Sequence, residues 1–268
     1  MGQDASGTTN EAKVTTEVRG HLLLIGLNRA NKKNAFDLEM LMALSTALTR
    51  LDDDDALRVG VVFPHGRDFT AGLDLMSVAP TLSGGQHIFS ESVLDPWGTH
   101  GRACRKPVVV AVRGLCLTLG IELILNTEIC VAADDTRFAQ IEVKRGIFPF
   151  GGGTARWVER VGWGNAMRWL LTADELDARE ALRIGLVQEV VAPDAAVPRA
   201  IELAERIAAQ APLGIAATLR SARLAVTEGV DASFRELLPE LRRLMASEDA
   251  QEGLASFVER RAGRFTGR

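Results

Sequence analysis

Cysteine is scarce: the 268 residues hold three, Cys104, Cys116 and Cys130, with no Cys-x-x-Cys pair. That odd set argues against a disulfide framework or a zinc knuckle and fits a reducing compartment, read here as the cytoplasm. Histidine is nearly as sparse. His21, His65, His87 and His100 fall in loops or turns at spacings that suggest no metal site, so they are read as surface residues and no metal is expected. Positive charge is not in excess either, with 31 Lys+Arg against 35 Asp+Glu and a net charge of −4. A nucleic-acid partner recruited by bulk positive charge is thereby excluded. Long apolar runs are missing: Leu115 to Leu125 falls short of the roughly 20 residues that cross a bilayer and contains Glu122, so no membrane partner is expected. The first residues lack a basic segment followed by an apolar one, so no secretory signal is read. Met1-Gly2-Gln3-Asp4-Ala5-Ser6 fits the loose acylation pattern M-G-x-x-x-S/T, but residues 1–13 are read as a disordered polar tail. Also absent are G-x-x-x-x-G-K-S/T, a post-strand G-x-G-x-x-G, H-E-x-x-H and G-x-S-x-G, the signatures of nucleotide, dinucleotide, zinc-protease and serine-hydrolase chemistry.

What is present is a globular composition, 47% hydrophobic and 25% charged. Val14 to Arg19 and Leu22 to Leu27 flank Gly20-His21 as a hairpin. Leu41, Leu44, Leu48 and Leu51 recur at helical spacing, with Asp37 as the cap and Asp52 to Asp55 as a solvated turn. Val59 to Phe63, Val108 to Val112 and Ile129 to Ala133 have the continuous apolar character of strands covered on both faces, which favours an α/β fold. Ser83-Gly84-Gly85 reads as a mobile loop. From Trp157 onward the pattern is helical apart from a strand at Val187 to Val191. Asp249 with Glu252 marks the start of the last helix, and Pro239 either kinks the preceding helix or begins a new one.

Two glutamates stand in apolar company: Glu122 within Leu119-Gly120-Ile121-Glu122-Leu123-Ile124-Leu125, and Glu142 within Phe138-Ala139-Gln140-Ile141-Glu142-Val143. Each either turns to water or sits dry. Brought together in a dry pocket, they would be carboxyls with raised, separated pKa values, fit for general acid and base work near neutral pH.

At these residues the chain resembles the enoyl-CoA hydratase/isomerase (crotonase) superfamily. The resemblance is carried by Phe69-Thr70-Ala71-Gly72-Leu73-Asp74, by Val112-Arg113-Gly114 with Gly120-Ile121-Glu122-Leu123, and by Phe138 to Lys144 with Gly146-Ile147-Phe148-Pro149 and Gly151-Gly152-Gly153-Thr154, in the family's order and spacing. Leu27-Asn28-Arg29, Asn34-Ala35, Gly253 and Phe257 to Arg261 extend it over about residues 14–268. It implies a ββα spiral core over residues 14–195 and a C-terminal helical region over residues 196–268 that forms a homotrimer or a dimer of trimers. It further implies an acyl-CoA substrate whose thioester oxygen is held by the backbone N–H groups of Ala71 and Leu119. Glu122 and Glu142 would hold one water that adds across the double bond of a trans-2-enoyl-CoA, Glu142 delivering the α-proton and Glu122 activating the water. Arg29, Asn34, Ala35, Gly72, Asp74, Phe150, Gly151, Phe257 and Arg260 would line the substrate or its CoA. No cofactor is implied beyond that CoA, which is part of the substrate.

Three positions depart from the family pattern. Leu119 replaces a glycine and would be strained at positive φ, Ile141 stands where a proline is usual, and Phe150 places a ring near the reacting carbons. An isomerase shifting a double bond from position 3 to 2, for which one carboxylate suffices, and a non-catalytic acyl-CoA binder are the alternative readings.

Overall fold

The computed structural model describes residues 12–84 and 87–268. Residues 1–11 of the expected tail and Gly85 of the expected loop lie outside that range. Gly20, at φ +57°, makes the tight turn between β1 (Val14–Arg19) and β2 (Leu22–Leu27), which pair antiparallel. The leucine-spaced helix is α1 (Leu38–Asp53), capped by the Asp37 carboxylate, which accepts from the Met40 N–H at 3.0 Å. There follow β3 (Val59–Pro64), α2 (Leu75–Ser83), β4 (Val108–Val112), β5 (Leu115–Leu117), α3 (Leu119–Leu125), β6 (Ile129–Ala133) and β7 (Arg137–Ala139). The rest is mostly helical: α4 (Gly153–Val161), α5 (Trp163–Thr172), β8 (Leu176–Asp177), α6 (Ala178–Ile184), β9 (Glu189–Val191), α7 (Ala196–Ala208), α8 (Pro212–Glu228), α9 (Val230–Met245) and α10 (Glu248–Glu259).

One sheet has the order β1-β2-β3-β4-β6-β9 and a smaller one the order β5-β7-β8. The chain alternates between them, β4 then β5, β6 then β7, β8 then β9, with helices between, which is the expected ββα spiral. Both faces of the larger sheet are covered. On one face Leu23, Ile25, Val62, Val110 and Ala132 pack with α1, and on the other Leu24, Val61, Val109 and Val131 meet Ala196, Ala200, Ala204 and Ala208. An alanine every fourth residue gives α7 a smooth face that settles close on the strands. Without α7 that second sheet face would be bare.

Other expectations are corrected. Asp52 is not solvated: it is buried, accepts the Arg105 N–H at 2.7 Å and pairs with the Arg102 and Arg105 guanidiniums. Lys13 is no frayed residue, since its ammonium reaches Asp37 at 2.7 Å and Glu39 at 2.6 Å. Ser83 closes α2 rather than opening a loop. Ser247, not Asp249, caps α10, while Asp249 is buried and accepts the N–H groups of Thr266 and Gly267, tying the last residues back onto the helix. Pro239 begins no new helix, because α9 runs through it. Among the described residues no helix is long and apolar enough to cross a membrane.

Candidate active site

The site is built where the segment Thr70 to Asp74 is clamped between two others. Thr70 donates to Leu115 O at 2.9 Å and accepts from Leu117 N at 3.0 Å, which fixes it along β5. On its other side Ala71 N donates to Lys33 O at 2.9 Å, Phe36 N to Gly72 O at 2.8 Å and Asp74 N to Phe36 O at 2.9 Å. Gly72 lies at φ +91°, and a Cβ there would overlap the Thr118 hydroxyl. Only glycine lets this segment rest on Thr118, the residue preceding α3.

The residues that follow that contact, Leu73 and Leu119, both line a cavity of about 310 Å³. Among the described residues neither of their N–H groups has an acceptor. For Leu119 this is inherent, because the first amides of a helix have no intrahelical partner. The expectation for Ala71 is corrected: its N–H is spent on Lys33, and the unspent donor lies two residues on, at Leu73. The strain expected at Leu119 falls on Thr118 instead, at φ 49° and ψ −113°, costing of order 1–3 kcal/mol.

The two glutamates converge through the small sheet. Cys116 pairs with Phe138 and Leu117 with Ala139 in parallel, so α3 after β5 and the 3-10 turn Glu142–Arg145 after β7 leave the sheet side by side. Glu122 is 1% exposed and Glu142 6%. Glu122 Oε1 accepts the Gly153 N–H at 2.9 Å, and Cβ atoms at Gly151 and Gly153 would stand only 3.0 Å and 2.8 Å from its carboxylate oxygens. Those glycines make room for the charge. Glu142 Oε1 accepts from Gln140 Nε2 at 2.8 Å, and Gln140 Oε1 accepts from the Trp157 indole at 3.2 Å. The second oxygen of each glutamate is buried and unpartnered. Burial pushes Glu122 up to about 7, with the Glu142 charge adding to the rise and the Gly153 N–H opposing it. Burial also raises Glu142, against its own backbone N–H and the Gln140 amide.

Trp97 steadies the cavity wall, donating its indole N–H to Leu119 O at 2.9 Å and meeting Phe36 edge-on at 5.4 Å between centroids. Phe150 and Gly151 line the same space. Ile141 enters the 3-10 turn at φ −100°, outside the range a proline ring holds. His87, exposed, and His100, half-buried, stack at the rim of the cavity with centroids 4.0 Å apart.

Several expected substrate contacts are instead committed to one another. Arg29 Nη1 bridges Asp74 Oδ2 and Ala35 O, both at 2.9 Å, and Arg29 Nε reaches Asp37 at 3.3 Å. Asn34 is fully buried, accepts the Arg29 N–H and donates to His65 O and Asp68 O. These residues build the loop rather than project from it. Lys32 and Lys33 are its exposed cations, and only their position between the committed Arg29 and Asn34 sets them apart from other surface lysines. Phe257 is 82% exposed at the end of α10, where Arg260 is also exposed, and neither lines the cavity. Among the described residues no cluster of His, Cys, Asp or Glu has the makings of a metal site.

Comparison with known proteins gives this geometry a lineage. The sequence profile described as enoyl-CoA hydratase/isomerase matches residues 17–268. The enoyl-CoA hydratase EchA19 of Mycobacterium tuberculosis is 32% identical over 255 residues, spanning 94% of this chain and 96% of that protein. A probable enoyl-CoA hydratase/isomerase from Mycobacterium abscessus, known from its crystal structure, superposes with a TM-score of 0.94 at 50% identity, covering 96% of this chain and 99% of the other. An enoyl-CoA hydratase structure from Mycobacterium tuberculosis gives 0.87 at 36% identity, covering 96% and 100%. Matched by the family profile over residues 17–268 and by relatives at 30% identity or more along nearly its whole length, the chain belongs to the enoyl-CoA hydratase/isomerase family.

Proposed function

We propose that this protein adds water across the α,β double bond of a trans-2-enoyl-CoA. The observation that carries this reading is the pair of buried, unpartnered carboxylate oxygens on Glu122 and Glu142, beside a cavity lined by Leu73 and Leu119 with their amides unspent. In this reading the Leu73 and Leu119 N–H groups hold the thioester oxygen, where negative charge grows as the β-carbon is attacked. One water bridges the two free carboxylate oxygens. Glu122 takes a proton from it as its oxygen bonds to the β-carbon, and Glu142 gives a proton to the α-carbon, so H and OH are added and the pair retains one proton overall. Passing that proton back from Glu122 to Glu142 resets the site. Burial raises both groups, Glu122 to about 7, which favours a proton held on the pair.

No cofactor enters beyond the CoA of the substrate. Lys32 and Lys33 are the exposed ammonium groups suited to its phosphates. The apolar side chains exposed on α9 and α10, among them Phe234, Leu238, Met245, Leu254 and Phe257, support a homotrimer or a dimer of trimers, in which Phe257 and Arg260 would meet a neighbouring site. Three free thiols support a cytoplasmic setting. The test is mass analysis of products from matched 2-enoyl and 3-enoyl thioesters. Gain of one water by the 2-enoyl ester is expected; double-bond migration without water gain identifies an isomerase, and binding without either identifies a non-catalytic paralogue.

A further inference from the structure

Glu142 has one proton to give and two oxygens that could carry it. Oε1 accepts from Gln140 Nε2 at 2.8 Å, while Oε2 is buried and unpartnered. A proton bound for the α-carbon has to leave from the free oxygen. That placement lasts only while Gln140 keeps its NH2 toward Glu142, because an amide has a donor end and an acceptor end. Turned over, Gln140 would present its carbonyl, and a protonated Glu142 would donate its O–H to it from Oε1, tying the proton to a neighbour. Glu142 does not itself prevent the turn: ionised it demands an N–H, but protonated it is satisfied by either end of the amide.

The group that prevents it is Trp157. Its indole N–H can only donate, and it donates to Gln140 Oε1 at 3.2 Å. Among the described residues neither end of the amide has another partner. Turning the amide would set its NH2 against the indole N–H and leave that donor without an acceptor. Trp157 is fully buried and Gln140 nearly so, and an unmet donor in such a place bears its full desolvation penalty. The same helix also serves the other carboxyl. Gly153, the first residue of α4, gives its N–H to Glu122 Oε1 at 2.9 Å, and Trp157 stands four residues on, one turn along the same face. Each glutamate thus has Oε1 tied to α4, directly or through Gln140, and Oε2 free.

We infer that Trp157 is a positioning residue for hydration: its indole N–H, acting through the Gln140 amide, keeps the transferable proton of Glu142 on Oε2. This rests on the reading of Glu142 as the acid of an enoyl-CoA hydratase. Trp157 lines no part of the cavity, so it acts on the reaction only through Gln140. Packing in the core has no use for the indole N–H, and the test removes that group alone.

Trp157→Phe keeps a ring without the N–H, and 3-benzothienylalanine at position 157 keeps the bicyclic shape with sulfur in place of the N–H. Each should lower kcat on crotonyl-CoA about tenfold, the loss expected of one orienting hydrogen bond, and change KM by less than about twofold. In a Gln140→Leu background no amide is left to turn, so the same replacements should cost less than about twofold further, whereas a packing role would cost the same in either background. Independently of turnover, the indole N–H resonance that disappears in Trp157→Phe should move in Gln140→Leu. A loss under about twofold with benzothienylalanine, an undiminished loss in the Gln140→Leu background, or a resonance unmoved by Gln140→Leu overturns the inference. Absence of hydration by the unsubstituted protein with every enoyl ester, alongside a resonance that moves, would instead overturn the hydratase reading and leave the tether from Trp157 to Glu142 standing.

Discussion

Glu122 should cost the fold stability at the pH where it works. Its carboxyl titrates at the ordinary 4.5 in the unfolded chain and at about 7 in the native one. The native state therefore holds the proton more tightly. Below pH 4.5 both states are protonated and there is no penalty; between 4.5 and about 7 the unfolded chain ionises first, so stability falls as pH rises. Above that window the loss is complete, at about 3 kcal/mol, since each tenfold gain in proton affinity is worth roughly 1.4 kcal/mol. Glu122→Gln keeps an oxygen to accept the Gly153 N–H and removes the ionisation. Urea unfolding of both proteins across this window should show a difference that grows with pH, the variant becoming more stable by up to about 3 kcal/mol while losing activity. Parallel stability curves, with the variant no more stable above pH 7 than below 4.5, would refute the claim that burial at this site raises the Glu122 pKa.

Two further perturbations probe the frame around the carboxyls. Gly72→Ala places a Cβ against the Thr118 hydroxyl at φ +91°; it should destabilise by about 3 kcal/mol and abolish turnover, measured by thermal unfolding and initial rates. Arg29→Ala breaks the ties to Asp74, Ala35 and Asp37 that hold the loop beside Leu73. Its rate loss, about tenfold or more, should persist with acyl-pantetheine substrates that lack the nucleotide; a loss that vanishes with those substrates would return Arg29 to the CoA contacts.

The parts of the fold legible in the sequence are those where local pattern and burial agree. The hairpin, the Asp37 cap, β4 and β6 fall where alternation, leucine spacing and apolar runs put them, because each is decided by its own residues. Glu122 and Glu142 stand out in the sequence by their apolar neighbours, but whether each turns to water or sits dry is decided only when β5 and β7 pair and bring α3 beside the 3-10 turn. What was not legible depends on distant segments. Asp52 belongs to an acidic run that looks solvated until Arg102 and Arg105, some fifty residues on, cover it. The donor register at Leu73 is set by Phe36 and Lys33 across a bridge, and nothing within Thr70 to Asp74 distinguishes it from Ala71. His87 and His100 sit in polar, turn-like sequence and keep contact with solvent, but that they stack on each other follows only from the folding of Phe89 and Trp97 into the core. Asp249 carries a helix-start pattern with Glu252, yet the returning C-terminus takes its carboxylate.

Hydration at this site requires the two carboxyls to act as one device. The most direct measurement is the hydration of crotonyl-CoA by Glu122→Gln, Glu142→Gln and the double variant. Each single variant should lose about 10²- to 10⁴-fold in kcat with little change in KM, and the double variant should be scarcely worse than the poorer single one, since neither glutamate has a task without the other. A near-normal rate in Glu142→Gln, or losses that multiply in the double variant, would contradict it.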